Sequence, residues 1–334
     1  MNRYGMTVPF SGISLSEHRD WYRELVDLGY TDVWTAEADG ADGFTPLTLA
    51  AAWAPELRLG VAIVPAYTRG PALLAQSAAA LADAAPGRFV LGVGSSSNVI
   101  VERWNGIAFT EPYKRTRDTV RFLKAALGGE KVSETYSTFE VKGFRSGLVP
   151  TEQPPILVAA LREGMLRMAG REGDGAIINW LSADDVKTVA PIVNGAAAEA
   201  GKADADGGPE IAARIFVCPS TDAGAVRAGA KRAIAAYLNV PVYAAFHQWI
   251  GRGERLQPMW DAWADGDRKL ALEVIPDEVV DELIIHGPPE ACREHIGRYV
   301  ESGVTTPALS ILGFAGVGGS PESLRQALRD LAPR

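Results

Sequence analysis

Short apolar runs rich in β-branched residues alternate along this chain with longer segments of helical periodicity. The apolar runs predict eight strands, near residues 4–10, 32–36, 58–65, 88–94, 155–160, 174–179, 210–217 and 305–312. The segments after them predict helices near 15–28, 45–54, 71–84, 114–127, 164–172, 183–201, 222–238 and 320–331. Eight strands, each followed by a helix, are typical of a parallel sheet that closes on itself. The pattern therefore predicts an α/β fold, a (β/α)8 TIM-type barrel.

Two segments do not follow this repeat. Residues 130–146 alternate like a small hairpin, and residues 239–300 contain additional helical periods. We therefore expect one domain over residues 1–334, with insertions after strands 4 and 7 at about 98–146 and 239–300. Insertions after barrel strands commonly border the substrate site or a subunit contact, because the active sites of such barrels lie at the C-terminal ends of the strands.

Composition and charge narrow the class of protein. The formal net charge is −8 and the basic residues are scattered, which argues against a nucleic-acid partner. Neither a membrane-spanning apolar run nor a secretory leader is evident. Cys218 and Cys292 are too few for a disulfide framework or a thiolate zinc site, and the four histidines have no metal-site spacing. We expect a cytoplasmic protein that holds no metal and acts on a small molecule.

Small residues end three of the predicted strands, at the edge where a barrel opens. The third strand ends in Val61-Ala62-Ile63-Val64-Pro65, the fourth in Gly92-Val93-Gly94 before three serines, and the fifth in Ala159-Ala160 before a helix. A flat ligand could lie against such backbone, and the helix N–H groups could bind an anion. Each segment alone is also compatible with an ordinary tight turn, loop or strand end.

Arg214 is unusual because it lies inside the apolar run 211–217, which is predicted to be a barrel strand. A charged residue there must either find a partner within the protein or point towards a ligand. Both alternatives stay open at the level of sequence.

Taken together, these segments resemble the luciferase-like monooxygenase superfamily, most closely its branch that uses the 5-deazaflavin coenzyme F420. The resemblance rests on the runs Leu59 to Pro71, Gly87 to Gly94, Val158 to Gly170 and Asp174-Gly175, and it covers nearly the whole chain. It implies a (β/α)8 barrel, usually a homodimer, with the cofactor ring at the C-terminal mouth.

The resemblance also implies which residues contact the cofactor. Ala62 and Ile63 match a bulge in the third strand, often a non-proline cis peptide, that supports the ring from behind. The other matching positions are Gly94, Ser95, Ser96 and Ser97 beside the ring and its side chain, and Ala159, Ala160, Leu161, Arg162, Gly164 and Met165 on the phosphate side. Trp180, after the sixth predicted strand, is expected to face the same mouth and to border the cofactor.

One position departs from the family pattern. Many deazaflavin enzymes of this family have a histidine just after the second strand as proton donor, and here Ala38 stands at that point. Glu37 is the nearest replacement, because a carboxylic acid held against an apolar ring can donate a proton near neutral pH. The alternative is a structural carboxylate that accepts hydrogen bonds from loop N–H groups. We expect Glu37, Trp104 and Arg214 to form the catalytic set, although Trp104 could equally be a packing residue.

The function that follows is hydride transfer between coenzyme F420 and a small organic substrate. An FMN-dependent two-component monooxygenase fits the same barrel, and a non-catalytic cofactor-binding barrel is the alternative from another class. The pattern indicates neither the substrate nor the direction of transfer.

Overall fold

The computed structural model describes residues 3–202 and 208–333. Its strands are β1 (Gly5–Thr7), β2 (Asp32–Thr35), β3 (Arg58–Pro65), β4 (Phe89–Gly94), β5 (Val132–Thr135), β6 (Glu140–Phe144), β7 (Ile156–Ala159), β8 (Gly175–Asn179), β9 (Glu210–Cys218), β10 (Ile284–His286) and β11 (Thr306–Ile311). Its helices are α1 (His18–Asp27), α2 (Thr45–Trp53), α3 (Pro71–Ala84), α4 (Pro112–Leu127), α5 (Glu163–Glu172), α6 (Ala183–Glu199), α7 (Ala223–Leu238), α8 (Pro241–Trp249), α9 (Gly253–Ala264), α10 (Arg268–Glu273), α11 (Asp277–Leu283), α12 (Pro289–Glu301) and α13 (Pro321–Leu331).

Eight parallel strands close into a barrel. Their order around it is β1, β2, β3, β4, β7, β8, β9 and β11, and β11 pairs again with β1. Each of the eight predicted strands and eight predicted helices corresponds to one of these elements. The predicted TIM-type barrel is therefore confirmed, and it places the C-terminal ends of all eight strands at one mouth.

The segments outside the repeat carry structure of their own. After α4, β5 and β6 form the antiparallel hairpin that the alternation predicts. After α7 come the helices α8 to α12 and the strand β10, which pairs with the end of β9. Sequence reasoning did not predict β10, because three residues are too short a run to show a period. It also made β1 too long: β1 ends at Thr7, shortly before Pro9, which has no N–H to donate to a neighbouring strand.

An ion-pair network fills the N-terminal end of the barrel. Arg58 lies 3.1 Å from Asp32 and 2.5 Å from Glu210, and the Thr306 hydroxyl donates a hydrogen bond of 2.7 Å to the same glutamate. Burial alone would raise the pKa of Glu210, but the Arg58 guanidinium outweighs it and the pKa lies below its usual value. These charges are compensated within the protein, so this network needs no charged ligand to neutralise it.

The middle of the barrel is filled by the indole of Trp34, which is 1% exposed. It belongs to a separate interior cluster with side chains from the facing strands, namely Val90, Leu157, Ile177, Ala212 and Ala308. Glycines on both neighbouring strands make room for it: an added Cβ would lie 2.3 Å from the indole at Gly60 and 2.8 Å from it at Gly5. A bulky ring in the middle layer therefore requires small residues on β1 and β3.

We predict that Gly60→Ala lowers the free energy of unfolding by about 1–3 kcal/mol, because its methyl group would overlap the Trp34 ring and force the core to shift. Gly297→Ala is the matched control. It lies within α12 with open space around the added methyl, so it should raise the free energy of unfolding by about 0.5–1 kcal/mol. Denaturant unfolding of the purified variants measures both values. Equal effects of the two changes would contradict this account of the interior.

Candidate active site

The strand β3 is irregular where it reaches the mouth. The peptide bond between Ala62 and Ile63 is cis, and the pairing of β3 with β4 shifts register between Val61 and Val64. The bulge and the non-proline cis peptide that the resemblance implied at these two residues are therefore both present. The bulge turns the Ile63 carbonyl towards β2, where it accepts a hydrogen bond of 3.3 Å from the Glu37 N–H.

Small residues at the ends of β4 and β7 lie beside the bulge of β3. A Cβ added at Gly94, the last residue of β4, would lie 2.7 Å from the Ala159 methyl on β7 and 3.2 Å from Ile63. The absence of a side chain at Gly94 thus lets the ends of β3, β4 and β7 approach one another. We call the surface formed by Ala62, Ile63, Gly94 and Ala159 the ring wall.

The serine loop follows directly from the ring wall. Ser95, Ser96 and Ser97 are half-buried, and Ser96 has a positive φ of 62°. Within the protein, the hydroxyl of Ser95 donates one hydrogen bond of 3.5 Å and that of Ser97 accepts one of 3.4 Å. Both bonds are long, so these hydroxyls can exchange them for stronger bonds to a ligand.

The segment after β7 leads into helix α5. The first backbone N–H groups of α5 are not capped by a side chain. Arg162 is the N-cap residue and makes no side-chain capping bond. Arg162, Glu163 and Gly164 are exposed, and a Cβ added at Gly164 would meet no other atom. The Glu163 carboxylate, in the first turn, binds Arg167 at 3.0 Å. The N-terminal turn of α5 therefore has free donors, with Leu161 and Met165 half-buried and Ala160 buried beside them.

The Glu37 carboxylate is held by partners within the protein. Its carboxylate forms a close ion pair with Arg69 and accepts hydrogen bonds from the Gly43 N–H at 2.9 Å and the Thr68 hydroxyl at 3.4 Å. Only 14% of its side chain is exposed. This arrangement is the structural alternative considered from the sequence: both oxygens are occupied by protein donors that tie together the loops after β2 and β3.

Trp104 and Trp180, the two tryptophans predicted at the site, differ in exposure to solvent. Trp104 ends a π-helix, Val99–Trp104, and is 55% exposed, so it is not a packing residue here. Trp180 is 1% exposed, and its ring centre lies 4.2 Å from that of Phe216 and 4.9 Å from that of Tyr237. Trp180 has a positive φ of 54° and belongs to an interior cluster with Phe216, and its expected contact with a cofactor stays a prediction.

Arg214 lies inside the barrel at the level of the mouth. Its Nη2 donates a hydrogen bond of 3.2 Å to the Ser310 hydroxyl on β11, and its guanidinium carbon lies 5.1 Å from the Phe216 ring centre. Its Nε is buried and has no hydrogen-bond partner. A small cleft at the mouth is lined by Thr35, Ala36, Ala62, Ile177, Arg214 and Ala308, so it reaches from Ala62 of the ring wall to Arg214.

Sequence reasoning missed Arg69 and Ser310. Arg69 follows β3 as Glu37 follows β2, and the ends of neighbouring parallel strands meet at one edge. An acidic residue after β2 and a basic residue after β3 could therefore have indicated an ion pair from the sequence alone. Ser310 carried no comparable signal, because one serine in an apolar strand is common; its importance comes from its place on the strand paired with that of Arg214.

None of the histidines or cysteines is among the residues that line the cleft. The His18 Nε2 accepts a hydrogen bond of 2.9 Å from the Phe10 N–H, and burial lowers its pKa. Burial, with the nearby Arg252, lowers the pKa of His247 to about 3. Both cysteines are buried thiols. Over residues 3–202 and 208–333, no group of three or more metal-ligating side chains occurs, and no helix is long and apolar enough to cross a membrane.

Comparison with known proteins gives consistent results. Residues 2–306 match the model of the luciferase-like monooxygenase family. The chain is 28% identical over 297 residues to the 5,10-methylenetetrahydromethanopterin reductase of Methanolobus tindarius, covering 85% of this chain and 87% of the relative. The coenzyme F420 dependent tetrahydromethanopterin reductase from Methanopyrus kandleri superimposes with a TM-score of 0.80 at 19% identity, covering 99% of this chain and 97% of that one. An F420-dependent secondary alcohol dehydrogenase in complex with an F420-acetone adduct gives 0.76 at 16% identity, covering 99% of both chains.

We predict that Glu37 and Arg69 are strongly coupled. Glu37→Gln and Arg69→Gln should each lower the free energy of unfolding by about 1–3 kcal/mol, and the double variant should lose clearly less than the sum, because the second change removes a partner already lost. The exposed pair Glu163 and Arg167 is the control, with an expected coupling of about 0.5 kcal/mol or less. Denaturant unfolding of the wild type and the three variants in each cycle gives the coupling energy. Additive losses for Glu37 and Arg69 would mean that the ion pair does not hold these loops together.

Proposed function

This chain belongs to the luciferase-like monooxygenase family, and we propose that it transfers a hydride between coenzyme F420 and a small organic substrate. The prediction of a luciferase-like enzyme is confirmed by the family match. The choice of coenzyme F420 as cofactor is supported by the similar proteins. Two enzymes whose folds superimpose on this one are F420-dependent.

The ring wall is the observation that carries the proposal. It consists of backbone, two alanine methyl groups and one isoleucine side chain, so it is an apolar surface at strand ends that open at the mouth of the barrel. A planar tricyclic ring fits such a surface because it can stack without displacing any charged group. Ala62, Ile63 and Gly94 would hold the ring from one side. The cofactor supplies the hydride chemistry, while the protein supplies orientation and exclusion of water.

The polar side chain of the cofactor would extend over the serine loop to α5. Ser95 and Ser97 carry weakly engaged hydroxyls, and the uncapped first turn of α5 offers N–H donors to a phosphate. Arg162 is exposed beside that turn and adds a positive charge. These groups lie on the β4 and β7 side of the mouth, next to the ring wall.

We assign Glu37 a positioning role in this proposal, in place of the proton donor expected from the sequence. Its oxygens are engaged by Arg69, Gly43 and Thr68, which leaves no free atom to deliver a proton. Through its own N–H it also binds the Ile63 carbonyl, so it fixes the bulge that supports the ring. Trp104, exposed on the π-helix after the serine loop, is available to contact the substrate.

The proposal includes a homodimer, as the family resemblance implies. It also includes a single domain in which residues of about 98–146 and 239–300 are insertions, as the periodicity of the sequence predicts. Exposed apolar side chains at the starts of neighbouring helices, Leu73 on α3 and Tyr113 on α4, are available for a subunit contact. Measurement of the mass in solution tests the dimer directly.

We predict that the protein binds coenzyme F420 with a dissociation constant on the order of micromolar or lower, and FMN at least about tenfold more weakly. The eight tryptophans serve as reporters in a fluorescence-quenching titration, since Trp34 lines the cleft beside the ring wall. Tighter binding of FMN would instead favour a flavin-dependent monooxygenase. Binding of neither would leave the family and the barrel but overturn the proposed chemistry.

Two glycine variants are the matched controls for this titration. Gly94→Ala inserts a methyl group between Ala159 and Ile63, so it should weaken coenzyme binding about tenfold or more. Gly147→Ala lies in an exposed loop with open space around the added methyl and should bind like the wild type. Thermal unfolding of both variants separates a local change at the ring wall from loss of the fold. Unchanged binding by a folded Gly94→Ala variant would remove the ring wall from the site.

A further inference from the structure

The upper part of the barrel interior contains a positive charge that the protein does not neutralise. Among the described residues, the Arg214 guanidinium forms no ion pair, and its one hydrogen bond runs from Nη2 to Ser310 at 3.2 Å. Its Nε is buried without a partner, and the Phe216 ring supports it from one side. Arg214 as a whole is half-buried, with this one donor fully enclosed. A guanidinium with an unused buried donor favours a bound anion, because leaving such a donor unsatisfied is costly.

Other partly or fully buried arginines of this chain are compensated within the protein. Each of three pairs with one or more carboxylates: Arg58 with Asp32 and Glu210, Arg69 with Glu37, and Arg252 with Asp185 and Glu282. Arg115, which is half-buried, is compensated differently: it donates hydrogen bonds to the Ala66 and Thr138 carbonyls and lies over two aromatic rings. At Arg214 the protein supplies a single hydroxyl, which leaves the guanidinium available to a ligand.

The position of Arg214 separates it from the ring wall. The strands β3 and β9 are four places apart in the closed order of eight, so Ala62 and Arg214 face each other across the barrel. Both line the same cleft. If the cofactor lies with one face on the ring wall, as the proposed function holds, its other face is directed towards Arg214. The inference below rests on that function.

The surroundings of Arg214 suit a small organic acid. Ile177 and Ala308, on the strands that flank β9, give the cleft an apolar floor. Asn179 is the register partner of Arg214 on β8 and donates a hydrogen bond of 3.4 Å to the Tyr243 hydroxyl. Burial raises the pKa of Tyr243 to about 12, so the residue stays a neutral phenol near this site. One cation with neutral polar neighbours matches a single carboxylate better than a more highly charged phosphate.

We propose that Arg214 binds the carboxylate of the substrate, and that the enzyme therefore selects small organic acids over their neutral analogues. The guanidinium would hold the acid group at the β9 side of the mouth. The reacting carbon would then lie between Arg214 and the ring wall, facing the cofactor. Arg214 is in this sense a specificity-determining residue, and Ser310 orients it.

Calorimetric titration with two matched pairs of probes tests the proposal: acetate against acetamide, and benzoate against benzamide. In the protein without cofactor, and again after loading with F420, the charged member of at least one pair should bind about tenfold or more tightly than the neutral one. Arg214→Gln should abolish that preference, and Arg214→Lys should retain part of it because the charge remains. Arg19→Gln, which removes the same charge from an exposed position on α1, should leave the preference unchanged.

Three outcomes would overturn the proposal: equal binding of acid and amide in both pairs, a preference that survives in a folded Arg214→Gln variant, or loss of carboxylate binding on loading with F420. The last result would assign Arg214 to the cofactor instead of the substrate. Coenzyme binding is measured separately by fluorescence quenching. A protein that binds carboxylates through Arg214 but does not bind F420 would therefore contradict the proposed function without contradicting the anion site.

Discussion

The constraint on which this structure depends is the filling of a closed eight-stranded barrel. Trp34 occupies the middle layer, and Gly5 and Gly60 must lack side chains to admit it. Below it, the charges of Arg58, Asp32 and Glu210 neutralise one another. Because these two layers fill the interior from the N-terminal end, the remaining space lies above the indole, at the C-terminal mouth.

The chemistry of the mouth follows from which strands border it. On one side, β3, β4 and β7 end in small residues and a bulge, and they form the apolar ring wall. On the opposite side, β9 and β11 contribute Arg214 and Ser310, the polar part of the same cleft. The loops after β2 and β3 are joined by the pair of Glu37 and Arg69. The barrel therefore holds an apolar surface and a cation apart at a distance that its own closure fixes.

The sequence predicted most of the fold because strand and helix periods are local properties. Runs such as Leu59 to Val64 are apolar at nearly every position, as strands buried on both faces must be. The bulge at Ala62 and Ile63 was predicted from family resemblance, since nothing in those two residue types requires it. Partnerships between distant side chains were not predictable in this way. The sequence marked Glu37 as an acid and Arg214 as a charge, but whether each had a partner depended on Arg69 and Ser310, which only the folded chain brings close.

A crystal structure of the protein with bound coenzyme F420 tests the central claim most directly, namely that the mouth receives a flat ring between an apolar wall and a cation. The account predicts that one face of the deazaflavin stacks on the Ala62–Ile63 peptide, with Arg214 across the cleft from the other face. A ring bound away from Ala62, Ile63 and Gly94, or one whose carbonyl groups bind the Arg214 guanidinium directly, would contradict it.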